Sequence, residues 1–234
     1  GPLLAAEDVR EVITGMGERD AFGEVDAVLS GYQGGTQIGD VILGAVEQVK
    51  AANPDAIYAC DPVMGNAKSG CFVHPDIPVL LRERVVPKAD LITPNQFELG
   101  FLTDTEPGDL ESTLASVDAA AAMGPSTVLV TSVLQPDRPA DTIEMLAVHG
   151  DGAWMVRTEH LPIKVNGSGD VTAALFTTHL LQTGDPALAL GRTASSVWDL
   201  VKRTLDSGRR ELQLVQSQEQ IAHPRMQFEV EKVR

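Results

Sequence analysis

Residues 165–176 read VNGSGDVTAALF, with Gly167, Ser168, Gly169 and Asp170 directly ahead of an apolar, helix-forming stretch. Successive Gly-Ser-Gly amides can approach an anion closely, and a helix N-terminus adds partial positive charge at the same point. An aspartate placed there can take a proton from a substrate hydroxyl, as an oriented base does in phosphoryl transfer. The same residues equally suit an ordinary helix start, with Ser168 or Asp170 as the cap. Two further acids follow expected strand ends: Asp61 in CDPVMG and Glu98 in TPNQFE, the second with Thr93 and Asn95 nearby. Asp61 ahead of Pro62 also fits a turn former, and Glu98 a first-turn residue favoured by the helix dipole.

These residues sit in a chain where short β-rich apolar runs alternate with helical patterns. Strands are predicted over 26–32, 56–63, 89–95 and 126–133, and helices over 7–16, 39–51, 76–85, 96–102 and 110–123. A loop holding Gly65 and Gly70 follows the second strand. TIEMLAVHG and GAWMVRTEHLP read as antiparallel partners about the turn His149–Gly152. Two long helices, 171–183 and 186–204, and a polar tail complete the chain. The fold class is α/β: one domain over 1–234, a doubly wound, mostly parallel central sheet with helices on both faces. The chain opens on a helix with no strand before it.

Ligands of such sheets sit outside the carboxyl ends of the strands. Asp61, Glu98 and Asp170 would converge there with Thr93 and Asn95. Separate carboxylates meeting at one edge suit Mg²⁺, which takes one or two of them and fills its shell with waters and phosphate oxygens.

Composition narrows the partners. With 33 acidic and 18 basic residues the formal charge is -15, which argues against nucleic acid and anionic membranes. A polyanion such as ATP must then be met by backbone N–H groups, a helix end or a metal. Hydrophobic content of 43% supports a real core, and no apolar run approaches the ~20 residues of a membrane span. The opening GPLLAAEDVR lacks a basic-then-apolar signal pattern, so a cytoplasmic protein is expected. Cys60 and Cys71 read as reduced thiols, the five histidines have no ligand spacing, and Trp154 and Trp198 read as packing residues. Lys68 and Ser69 lie either over phosphates or in solvent.

Three stretches together carry a resemblance: CDPVMGNAKSGCFV (60–73), VVPKADLITPNQFELGFLT (85–103) and NGSGDVTAALF (166–176). In this order and at these intervals they resemble the pyridoxal kinases of the ribokinase-like superfamily, and the similarity runs from AVLSGYQG to the C-terminus. The resemblance implies ATP-dependent phosphorylation of the 5′-hydroxymethyl group of pyridoxal, with Mg²⁺, giving pyridoxal 5′-phosphate. It implies Asp170 as the base that meets the substrate hydroxyl, and Gly167, Ser168 and Gly169 as an anion hole. It further implies Asp61, Thr93, Glu98 and Thr131 at the nucleotide, and Asp61, Glu98 and Asn95 at Mg²⁺, partly through water.

Thr131 stands where many members carry Lys, which leaves one fewer cation for the phosphates. The adenine side is implied to come from 154–166 and the helices after Asp170, and the assembly to be a homodimer. Members open with a strand and a ring-contacting stretch ahead of the point that matches residue 1, roughly 30–50 residues, the size of a βαβ unit. The expected sheet therefore lacks its N-terminal strands. Hydroxymethylpyrimidine (phosphate) kinases share the DPVM and TPN motifs but typically carry Cys at the position of Asp170. They are one alternative; a truncated, inactive nucleotide-binding protein is another.

Overall fold

The computed structural model describes residues 4–234. Helix α1 (Ala6–Gly17) leads to strand β1 (Ala27–Ser30), helix α2 (Thr36–Ala52) and strand β2 (Ile57–Cys60). A two-stranded hairpin, β3 (Gly65–Asn66) and β4 (Gly70–Cys71), precedes helix α3 (Asp76–Leu80) and strand β5 (Leu91–Ile92). Helices α4 (Gln96–Thr103) and α5 (Leu110–Ala121) lead to strands β6 (Thr127–Val133), β7 (Thr142–His149) and β8 (Gly152–Glu159). Helices α6 (Ser168–Thr183), α7 (Pro186–Asp206) and α8 (Gln218–Ala222) and strand β9 (Val230–Lys232) follow.

The main sheet runs β1-β2-β5-β6-β7-β8-β9. The first four strands are parallel to one another, and β7, β8 and β9 add antiparallel neighbours. Helical crossovers on both faces bury β2, β5 and most of β6, which is why these strands read as apolar runs. The run over 26–32 also reads as a buried strand, but β1 is the edge of the sheet and Leu29 is 41% exposed, because no strand covers its outer side among the described residues. The period-2 alternation of a strand survives beneath the buried runs. Tyr58, Cys60, Ile92, Val128 and Val130 join one core with residues of α2, α3, α4 and α5. Ala59, Leu91 and Leu129 face the opposite core with Phe176 of α6 and Ala189, Leu190 and Ala194 of α7.

Three stretches differ from the sequence expectation. The loop after β2 contains the β3–β4 hairpin, a structure without a hydrophobic period to announce it. Gly65 makes it possible: a Cβ there would lie 2.2 Å from the Gly70 carbonyl oxygen. Gly65→Ala must therefore spread the hairpin, and urea denaturation should record a loss of about 1–3 kcal/mol. The helix expected over 76–85 is α only to Leu80; it widens into a π turn over Leu81–Val85 and tightens into a 3₁₀ turn over Val86–Lys88, where Pro87 has no N–H to continue an α-helix. The polar tail is not free, since β9 pairs with β8 and the Arg234 guanidinium donates to both carboxylate oxygens of Asp118.

Candidate active site

Asp61, Thr93 and Thr131 each lie one residue past, or within the end of, a parallel strand, and each is fixed by its own backbone amide. Asp61 N–H donates to Ser30 O at 2.8 Å, Thr93 N–H to Cys60 O at 3.0 Å, and Thr131 N–H to Pro94 O at 2.9 Å. The ladder of the sheet thus continues beyond the strands and sets these residues side by side along the carboxyl edge.

Helix α6 begins at the same edge. Gly167 is its N-cap, with φ 84°, a left-handed conformation that glycine adopts without penalty. No side chain caps the helix, so neither Ser168 nor Asp170 fills the cap role that the sequence left open. The first-turn amides are left without a side-chain acceptor, which is the condition for receiving an anion. Asp170 is exposed and reaches toward the β1 loop: its Oδ1 lies 3.5 Å from where a Cβ on Gly31 would stand. Asp61 Oδ2 lies 3.8 Å from the corresponding point on Gly169. The Gly-Ser-Gly turn is therefore flanked by both carboxylates.

Glu98 has a different standing. It is buried and forms a capping box with Asn95: Asn95 N–H donates to Glu98 Oε2, and Glu98 N–H to Asn95 Oδ1, both at 2.9 Å. Its second oxygen accepts the amides of Met64 at 2.9 Å and Gly65 at 3.2 Å, while Asn95 Nδ2 donates to Gly65 O at 2.8 Å. Asn95 and Glu98 thus tie α4 to the β3–β4 hairpin, and Lys68 and Ser69 are exposed on the turn of that hairpin.

The three acids lack cationic company. Among the described residues, no ion pair reaches Asp61, Glu98 or Asp170. Burial pushes the Asp61 carboxyl up to about 7, helped by the charges of Glu98 and Asp170, while the Thr93 hydroxyl opposes the shift. Thr93 Oγ1 is buried and has no hydrogen-bond partner among the described residues. Burial also raises Glu98, against the three backbone amides that favour its ionised form. Buried negative charge of this kind calls for a cation. Among the described residues, no group of three or more His, Cys, Asp or Glu side chains is arranged to enclose a metal ion. Two carboxylates without an ion pair, Asp61 and Glu98, are the hard oxygen donors that an ion completing its shell with waters and phosphate oxygens, such as Mg²⁺, accepts.

Three neighbours escaped the sequence reading. Gly31 admits Asp170 to the β1 loop, and exposed Tyr32 follows it; the small-aromatic pair directly after an apolar strand run is the available signal. Leu212 backs the glycine-led turn, its Cδ1 lying 3.6 Å from a Cβ position on Gly167. No local pattern could connect residues so distant in sequence. Beside Asn95 a cleft of about 730 Å³ opens between α4, the hairpin turn and the start of β7.

A family model described as phosphomethylpyrimidine kinase matches residues 24–214. The chain is 68% identical to pyridoxal kinase PdxY of Leifsonia xyli subsp. xyli over 233 residues, covering 100% of this chain and 82% of that protein. Pyridoxal kinase PdxY of Corynebacterium diphtheriae is 60% identical over the same shares of the two chains. The chain belongs to the pyridoxal kinase family. The pyridoxal kinase of Leishmania donovani, solved with ADP and pyridoxamine, superposes with a TM-score of 0.90 over 100% of this chain and 83% of its own, at 24% identity. That likeness establishes a shared α/β fold, with a mostly parallel central sheet flanked by helices.

Proposed function

We propose that the protein transfers the terminal phosphoryl group of ATP to the hydroxymethyl oxygen of pyridoxal. The observation that carries this is the convergence of Asp170 and Asp61 on the uncapped, glycine-led N-terminus of α6, in a chain 68% identical to a pyridoxal kinase. Asp170, exposed at the rim, takes the proton of the substrate hydroxyl as its oxygen attacks phosphorus. The amides of the Gly167–Gly169 turn meet the negative charge of the group in transit, where fixed donors are most effective.

Asp61 and, through water, Glu98 and Asn95 would hold Mg²⁺, which neutralises phosphate charge when bound. Both Glu98 oxygens already accept backbone amides, which favours the water-mediated role. Thr93 and Thr131 line the edge on the nucleotide side. Thr131 brings no cation, so the helix terminus and the metal carry the charge of the phosphates. Family membership carries a homodimer as the expected assembly.

The matching family model also bears the phosphomethylpyrimidine name, which keeps a second acceptor in view. Coupled measurement of ADP release decides between them. With MgATP saturating, kcat/KM for pyridoxal should exceed that for hydroxymethylpyrimidine by at least about tenfold. The reverse order would assign the protein to the pyrimidine branch.

A further inference from the structure

The end of β6 carries an irregularity that the roles above do not use. Val130 pairs with Leu146 and Val133 with Glu144, so Thr131 and Ser132 together oppose Met145 alone. This is a bulge of one extra residue, and Ser132 pays for it with φ 53°, a left-handed conformation that side-chain-bearing residues rarely adopt. The bulge lets Thr131 turn away from β7 and bridge to Asn95 across the edge. A conformation of this kind persists only where its surroundings over-determine it.

Two side chains outside the proposed chemistry supply that constraint. Gln96 grips the backbone of Leu134 from one side: its Oε1 accepts the Leu134 amide at 3.1 Å and its Nε2 donates to the Leu134 carbonyl at 3.4 Å. Glu144, 1% exposed, holds the loop from the other side. Its carboxylate accepts from Gln135 Nε2 and from Arg157 Nε, with Arg138 Nε 3.7 Å away. Arg157 is anchored in turn to Glu231 of β9 at 3.1 Å. The segment that leaves the bulge is thus held from two directions, at Leu134 by α4 and at Gln135 and Arg138 by β7, and Asn95, Ser132 and Leu134 line the cleft beside it.

We infer that Gln96 and Glu144 are positioning residues, which hold the Ser132 bulge in the geometry that presents the Thr131 side of the edge to the nucleotide. The inference rests on the assignment of that side to ATP, and MgADP affinity tests it independently of turnover. By titration calorimetry, Gln96→Leu should raise the Kd for MgADP roughly three- to thirtyfold, the worth of one or two hydrogen bonds. In the kinase assay the KM for ATP should rise alike, with kcat and the KM for pyridoxal within about threefold of wild type.

Ser132→Gly in the Gln96→Leu background should recover most of the lost affinity, because glycine occupies φ 53° without strain. A merely structural role would lower stability without this rescue. Glu144→Gln should weaken MgADP in the same direction, but it leaves Arg157 without its buried partner, so Gln96→Leu carries the decision. The inference is overturned if Gln96→Leu leaves MgADP affinity within twofold of wild type, or if Ser132→Gly recovers none of a loss. It is also overturned if the effect falls on pyridoxal alone. A wild-type protein that binds MgADP yet releases no ADP from MgATP and pyridoxal would sink the kinase reading and leave this test standing.

Discussion

Replacing Asp170 with asparagine should lower kcat by roughly 10²–10⁴-fold, the usual contribution of a positioned general base. Affinity for MgATP should stay within about threefold, because asparagine is isosteric and the Gly167–Gly169 amides proposed to meet the phosphates are untouched. Stability should change by no more than about 0.5 kcal/mol, since Asp170 is exposed. One further effect follows from the charge removed. Asp170 helps to push Asp61 up, so Asp61 should titrate lower in the variant. Steady-state kinetics paired with MgADP calorimetry checks the first two expectations. A variant that retains turnover within tenfold of wild type would remove Asp170 from the role of base.

Asp61→Asn should have two effects of opposite sign. Turnover should fall by about 10²-fold or more, because a carboxylate that would hold the cation is gone. The metal-free fold should nevertheless gain stability at pH 8. In the folded chain Asp61 titrates near 7, against its ordinary value of 3.8. Between those values the native state binds more protons than the unfolded state, so the stability of the wild type declines as pH rises from about 4 to about 7 and then levels.

At pH 5 the wild-type side chain is mostly protonated and resembles asparagine, so the two proteins should unfold alike. At pH 8 the variant escapes the cost of a buried, unpaired carboxylate and should be more stable by on the order of 1–4 kcal/mol. Chemical denaturation in EDTA at the two pH values measures this. A variant no more stable than wild type at pH 8 would contradict the electrostatic account of the site.

The parts of this site legible in the sequence are those fixed by strand ends. A buried apolar run followed by Asp-Pro or Thr-Pro-Asn places its polar residues at the carboxyl edge whatever the details of the sheet. Asp61, Thr93 and Asn95 stand there for that reason, and the glycine-led turn before Asp170 joins them by the same topology; Thr131, inside β6, is marked only by the family resemblance. The capping box of Asn95 and Glu98 is also readable, since its partners are three residues apart and the dipole accounts for only part of Glu98's placement.

Other features depend on contacts between segments far apart in the chain. The β3–β4 hairpin rests on two glycine backbones touching, and β9 on three residues finding the edge of β8. The segment after the Ser132 bulge meets side chains of α4 and β7, and Leu212 meets Gly167 only after α7 has returned along the sheet. None of these leaves a periodic trace in its own segment.

The amide ladder through Asp61, Thr93 and Thr131 also makes the edge a ruler. Its graduations are strand spacings of about 4.8 Å, and the four strands from β1 to β6 span roughly 14 Å. On the proposed function, a molecule read by this ruler would lie across the strands, with the transferred group by Asp170 and its far end by Thr131. Distance along it is counted in strands, so loop substitutions can change what is recognised at either end without altering the length of the measure.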